Sequence, residues 1–380
     1  MSATPTSNQT KAPILWTNVI VFASTFLIAL IGVPLYGLYV GLGVEHLIAT
    51  TLALGFAGMS ITVGYHRLWS HRTYEAHPAI QFVLALGGAF ALQNSALHWS
   101  SDHRIHHKFV DQNDKDPYSA KRGFWYSHIG WMLRDYQGEK YSDYSNCRDL
   151  QKNKIVMWQH KYYLPLALAM NFGIPLILGV IFNDIWGMLL TVGVLRLVLS
   201  HHFTFFINSL AHIWGKQTYT DKNTARDNYL LAFVTYGEGY HNYHHIFEND
   251  YRNGIRWYHF DPSKWFIKTL SFIGLTKNLR VVPEEKIKAA KWRMQKFKTE
   301  QKIIDLPNKD VVLAKLEHEY EALVSAFKTY LETRKAYLTA KKQKVSDSVL
   351  AELKGNYELL RKELKRQQKQ WQRVLTQVPA

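Results

Sequence analysis

The chain has 380 residues, with 46 Lys and Arg against 30 Asp and Glu for a formal charge of +16, and one cysteine, Cys147. That length holds one large or two ordinary domains, and the charge favours anionic partners such as phospholipid headgroups, nucleotides or acidic proteins. A single thiol excludes an intrachain disulfide, a thiolate zinc site and an iron–sulfur cluster.

Met1 to Lys11 is polar, and the apolar run after it is too long and wrongly flanked for a cleaved signal peptide, so it is expected to be retained. Val19 to Val40 and Leu47 to Val63 are almost wholly apolar, with Glu45 and His46 in the turn between them. Each approaches the ~20 residues a helix needs to cross ~30 Å of hydrocarbon, which predicts a transmembrane hairpin over 19–40 and 47–63. Leu164 to Phe182 and Ile185 to Ile207, turning at Asn183-Asp184, predict a second over 164–182 and 185–207. The stretch 79–97 is also apolar but contains Gly87, Gly88, Gln93 and Asn94.

Histidines gather beside these runs. His103, His106 and His107 lie at i, i+3 and i+4, and His241, His244 and His245 repeat the pattern. His66 and His71 follow the second apolar run, and Asn208 and His212 follow the fourth at i, i+4. Residues three and four apart share a helix face. In an ideal helix His103 and His107 are about 40° apart and His106 and His107 about 100°. The i, i+4 pair therefore tends toward one ion and the adjacent histidine toward another. The His66–His71 interval is about 140°, so both reach one metal only if the helix ends or unwinds between them, around Trp69-Ser70. Imidazole donors suit zinc, copper, iron or nickel rather than magnesium or calcium. One zinc takes about four ligands, so nine imidazoles and an amide suit two ions. The isolated histidines His46, His77, His98, His128, His160, His259 and His318 read as ordinary satisfied or surface residues. His201-His202 is unusual within an apolar helix, where polar groups face a bundle interior.

For the clusters to form one site they must share a side of the membrane, so 79–97 is expected to lie in the interface or against the catalytic domain, leaving four spans. The loops 41–46 and 183–184 carry no Lys or Arg, whereas the histidine-bearing segments are rich in both. The positive-inside rule then puts the site and both termini on the cytosolic side. From Pro283 the composition turns basic and helical. Val311 to Leu338 and Val349 to Leu375 carry apolar residues at helical spacing, which predicts a helical hairpin or coiled coil in an extension, 283–380, beyond a membrane domain, 1–282. A solvated packing or oligomerisation element is the plain reading of it, contact with anionic lipid the competing one. No nucleic-acid recognition module is present.

The motifs His66-Arg-Leu-Trp-Ser-His71, His103-Arg-Ile-His-His107, Asn208-Ser-Leu-Ala-His212 and Gly237-Glu-Gly-Tyr-His-Asn-Tyr-His-His245 resemble those of the membrane acyl-CoA Δ9 desaturases, the stearoyl-CoA desaturase group. The similarity runs from about Trp16 to residue 282. It implies an all-α integral membrane protein, four transmembrane helices capped by a cytosolic helical domain with a histidine-rich di-iron site. It further implies that O₂ and two electrons serve to remove two hydrogens from an acyl chain. By motif, one iron would take His66, His71, His103, His107 and His244. The other would take His106, His212, His241 and His245, with Asn208 acting through water. With no carboxylate ligand, the set differs from soluble four-helix di-iron proteins.

The same resemblance places Gln93, Trp99, Thr204 and Phe205 around the bend of a substrate tunnel, and Asn18, Asp102 and Arg134 at its headgroup end. Two basic positions of the family are Ser101 and Asp135 here, which leaves acyl groups on phospholipid as an alternative to acyl-CoA. There is no His-Pro-Gly-Gly haem motif, C-x-x-C or G-x-G-x-x-G in the sequence, so no haem, flavin or nicotinamide is expected in this chain. A separate ferredoxin, cytochrome or flavin reductase is implied as electron donor. The rivals are a hydroxylase on the same scaffold and, from another class, a histidine-rich membrane metal transporter.

Overall fold

A computed structural model describes residues 12–377, and the polar Met1–Lys11 stretch lies outside the described residues. The chain divides into two compact units with the boundary between Val282 and Pro283, residues 218–220 grouping with the second. Among the described residues the protein is all-α, apart from one two-stranded antiparallel ribbon, β1 (Glu75–Ala76) with β2 (Thr276–Lys277), in which Glu75 faces Lys277.

In the first unit four helices are long and apolar enough to cross a membrane: α1 (Trp16–Tyr39), α2 (Val44–Ser70), α5 (Tyr163–Ile181) and α6 (Ile185–His212). Between α2 and α5 lie α3 (Pro78–Ala91) and α4 (Ala96–Phe109), which meet at an 80° bend. At ~1.5 Å per residue, the 14 residues of α3 reach only ~21 Å, short of the ~30 Å apolar thickness. The bend follows from local chemistry. Leu92 and Asn94 both adopt positive φ, which ends α3, and the Ser95 hydroxyl accepts the His98 N–H to begin α4. Where a Cβ at Gly87 or Gly88 would collide with Ser60 or the Tyr65 ring, glycine lets α3 lie flush on α2. Tyr65, Trp69, Leu84, Phe90 and Leu97 fill that contact.

All four long helices contain a widened π segment. Those at Ile28–Gly32 and Ala169–Gly173 stand just before Pro34 and Pro175, rings that an unbroken α-helix accommodates badly. The segment Ser60–Ser70 changes the histidine geometry, because the His71 N–H donates to the His66 carbonyl at 3.1 Å. An i→i+5 closure brings the two imidazoles to one side, with ring centroids 4.8 Å apart. The helix thus widens through Trp69-Ser70 and stops only at His71, with Arg72 at φ 52°. The expected unwinding between His66 and His71 takes the form of this change of helical pitch, and the helix ends at His71.

At the opposite end of the spans, Asp184 accepts from the Tyr36 hydroxyl at 2.5 Å and lies 3.0 Å from His46 Nε2, tying the two hairpin turns together. His46 is therefore a satisfied structural residue.

The second unit holds α8 (Glu284–Ile303), α9 (Lys309–Lys342) and α10 (Asp347–Gln377). Its core joins Trp292 and Ile303 of α8 to Leu316, Leu323 and Phe327 of α9 and Leu364, Trp371 and Val374 of α10. The expected two-helix hairpin is completed by a third helix. The mixed charge of α8 hides its part in the core, because few apolar residues suffice when two of them are Trp292 and Ile303.

Candidate metal centre

The histidine-bearing elements converge on the first unit's interior. α2 brings His66, with His71 directly after it, α4 brings His103, His106 and His107, and the end of α6 brings His212. The short helix α7 (His241–Ile246) supplies the rest. Their nitrogens fall into two groups, each within 4.8 Å: His66, His71, His103, His107 and His244, and then His106, His212, His241 and His245. The nearest Nε2 pairs are His71–His103 at 2.8 Å, His66–His244 and His244–His107 at 3.0 Å, His245–His241 at 3.0 Å and His241–His212 at 3.1 Å. Two nitrogens each ~2.1 Å from one ion and at a right angle would lie about 3 Å apart. These separations are those of a coordination shell's edges.

Tautomers support the same conclusion. Asp116 Oδ1 lies 2.8 Å from His106 Nδ1, and Glu248 Oε2 lies 3.0 Å from His107 Nδ1. The Thr224 hydroxyl donates to Asp111 at 2.7 Å and so accepts from His212 Nδ1 at 2.8 Å. Glu238 Oε2 is 2.9 Å from His66 Nδ1, close but poorly aligned, while its other oxygen accepts from Arg67. Where Nδ1 carries the proton, Nε2 presents a lone pair, and lone pairs facing one another at about 3 Å call for a cation between them. Imidazole ligands of metals characteristically carry such a second partner.

Electrostatics keep the imidazoles ready to bind. Burial, reinforced by the neighbouring rings, holds His71, His103, His241, His244 and His245 well below the usual histidine range. Burial takes His107 to about 4 despite the opposing hydrogen bond to Glu248. Burial would raise the Glu238 carboxyl, but His66 and Arg67 hold it below the ordinary carboxylate range. At neutral pH these six rings are uncharged, and Glu238 and Glu248 are charged. That combination leaves the rings able to hold a metal cation.

Asp116, Thr224, Asp111, Glu238 and Glu248 were not found from the sequence. Glu238 and Glu248 leave a trace there, each three residues outside the His241–His245 run, whereas nothing local marks Asp111 or Thr224.

A cavity of about 360 Å³ reaches the metal groups at His66, His103 and His241. All seven residues expected at the substrate line it. These are Asn18, Asp102 and Arg134, expected at the headgroup, and Gln93, Trp99, Thr204 and Phe205, expected at the bend, with Asn208 also in the wall. Gln93 Nε2 donates to Thr204 Oγ1 at 2.9 Å, and Trp99 stacks on His103 with centroids 4.8 Å apart. His98, expected to be an ordinary satisfied histidine, shares this wall, 3.4 Å from Asp102. Asp135 lines the cavity too, while Ser101 is buried and donates to Asn146 Oδ1 at 2.8 Å.

Fold and site together define an all-α membrane protein with two imidazole groups able to hold metal beside an apolar cavity. The chain belongs to the fatty acid desaturase family, whose model matches residues 42–269. It is 46% identical over 257 residues to a probable acyl-CoA desaturase of Schizosaccharomyces pombe, covering 67% of this chain and 53% of that protein. Identity to acyl-CoA desaturase 1 of Saccharomyces cerevisiae is 40% over 302 residues, 75% of this chain and 59% of the relative. An acyl-CoA Delta-9 desaturase of Acheta domesticus is 37% identical over 281 residues, 72% of this chain and 77% of its own. The chain thus spans little more than half the length of the two yeast relatives.

Proposed function

We propose that the protein desaturates a saturated fatty acyl chain, carried on coenzyme A, at the Δ9 position, using two non-haem irons, O₂ and two electrons from a separate donor. The observation that carries the reading is the meeting of two all-imidazole groups with the wall of an apolar cavity. Two irons in those groups would supply the oxidising power that no side chain has. The chain's own residues do the rest. Asp116, Glu248 and Thr224 hold the ligand rings in one tautomer, Trp99 packs over His103, and the Gln93–Thr204 hydrogen bond closes the side of the cavity. Excluding water and fixing one pair of carbons near the site are what such a tunnel contributes.

Arg134 and Asn18 in the cavity wall suit a polar headgroup, which supports coenzyme A as carrier. The Lys- and Arg-rich histidine-bearing side supports a cytosolic site, and the basic extension suits an acidic electron donor. If deleting residues 290–380 leaves turnover and its salt dependence unchanged, the extension has no such role.

The deciding experiment is expression in a host lacking its own desaturase, with mass spectrometry of the fatty acids. Loss of two hydrogens at one position is expected, and gain of an oxygen would make the protein a hydroxylase. His106→Ala and His244→Ala should each abolish the product while the protein stays in the membrane. Fewer than two irons per chain after anaerobic reconstitution, with zinc flux in vesicles, would overturn the reading in favour of a transporter.

A further inference from the structure

The end of α3 carries a polar load that the metal site does not explain. A helix leaves its last four carbonyls without intrahelical partners, and here they fall at the elbow, deep in the apolar part of the first unit. Side chains from α5 and α6 take them up. Asn171 Nδ2 donates to Ala89 O at 3.3 Å, and Arg196 Nη1 to Phe90 O at 2.7 Å. His201 Nε2 lies 3.1 Å from Ala91 O and 3.2 Å from Leu92 O, and with carbonyls as its partners this nitrogen must carry the proton.

Arg196 is fully buried, yet its partners are carbonyl oxygens, those of Val192, Phe90 and the Asn171 amide, together with the face of the Phe90 ring at 3.7 Å. A guanidinium with no carboxylate beside it is costly at this depth, so its place at this elbow needs a reason. His201, the odd histidine of an apolar helix, stacks on Phe205 and faces the same cavity wall as Leu92, Gln93 and Asn94.

We propose that Arg196, His201 and Asn171 are positioning residues that clamp the α3–α4 elbow and so determine where along the acyl chain the double bond falls. The inference rests on the desaturase reading. The elbow carries Gln93 into the cavity and aims α4, with Trp99 and His103, at the metal groups. If the elbow moves, the cavity wall at Leu92, Gln93 and Asn94 moves relative to the imidazoles, and a different pair of carbons meets them. A displacement of about 1 Å is enough to cost about a hundredfold in rate, so loss of the clamp should both slow the reaction and spread it over neighbouring carbons.

The test uses the full chain in membranes of a desaturase-deficient host, with two readouts. Arg196→Leu and His201→Phe, the latter keeping the stacked ring but removing the donor, should give double bonds at two or more adjacent positions where the wild type gives one. Metal per chain should be unchanged, and Arg196→Lys should recover part of the single product. Amide exchange of residues 92–96 should accelerate about tenfold in both variants, the effect of one lost hydrogen bond. An unmoved double bond with normal metal content overturns the proposal, and so does unchanged exchange at 92–96. If Arg196→Leu does not accumulate, His201→Phe decides by the same criteria. A wild type that makes no double bond overturns the desaturase reading instead, and the exchange measurement then decides the clamp alone.

Discussion

At the scale of single residues, the site depends on groups outside the two imidazole sets. Asp116 is fully buried, accepts the Asp111 and Tyr118 N–H groups, and lies 2.8 Å from His106 Nδ1. Asp116→Asn keeps the shape but offers a weaker acceptor and allows the ring to turn over. Loss of such a partner typically weakens metal binding 10–100-fold, so metal titration should show a fall of about that size in the His106, His212, His241 and His245 group, with the other group retained. The histidines also predict a direction with pH. The protonated imidazole is the charged form, so a folded pKa below 6.5 means the folded state binds fewer protons than the unfolded chain. The stability of metal-stripped protein should therefore be complete above pH 6.5 and fall as the pH drops below it. His107, taken to about 4, contributes on the order of 3 kcal/mol to that loss. Chemical denaturation of chelator-treated protein at pH 7.5, 6 and 5 checks it, and stability flat across that range contradicts it. The nine histidines could be read because their spacing is local, within five residues in each cluster. Their carboxylate partners could not, because Asp116 reaches His106 around a turn and Asp111 reaches His212 through Thr224, more than a hundred residues away along the chain.

At the scale of elements, apolar runs showed where the long helices lie, since length and hydrophobicity suffice for that. They did not show pitch. The π segment beneath His66 and His71 has no sequence signature beyond its result, and it alone converts a spacing of about 140° into a shared face. Nor did they show the elbow, whose cause is two left-handed residues, Leu92 and Asn94, satisfied by partners on other helices: Tyr163 donates no proton here but accepts the Asn94 N–H at 2.9 Å, while Tyr65 donates to Asn94 O at 3.1 Å. The glycine pair was visible, though its purpose was not. Gly88→Val should force α3 off the Tyr65 ring, an overpacking that costs typically 1–3 kcal/mol. Thermal melting in detergent should register it as a lower midpoint, while Gly55→Ala, where a Cβ meets nothing within 4 Å, should not.

At the scale of the molecule, the chain builds two separate cores, and the second can be tested without reference to catalysis. Trp371 is wholly buried among Ile303, Leu316 and Leu323, and its indole N–H donates to Gln295 Oε1 at 2.9 Å, so it joins α10 to α8. Removing a buried tryptophan side chain costs about 3–5 kcal/mol, a large share of the 5–15 kcal/mol that holds an ordinary domain. The orphaned Gln295 amide adds to the loss. Trp371→Ala should thus make residues 283–377 sensitive to proteolysis at temperatures where the wild type resists. A core of its own means that the metal stoichiometry of residues 66–245 should stay at the wild-type value in the same preparation. If the variant lost metal together with protease resistance, the two cores would fold as one cooperative unit. If instead the extension stayed resistant, the contacts of Trp371 would be dispensable, and α9 with α10 alone, the two-helix pattern visible in the apolar spacing, would carry its stability.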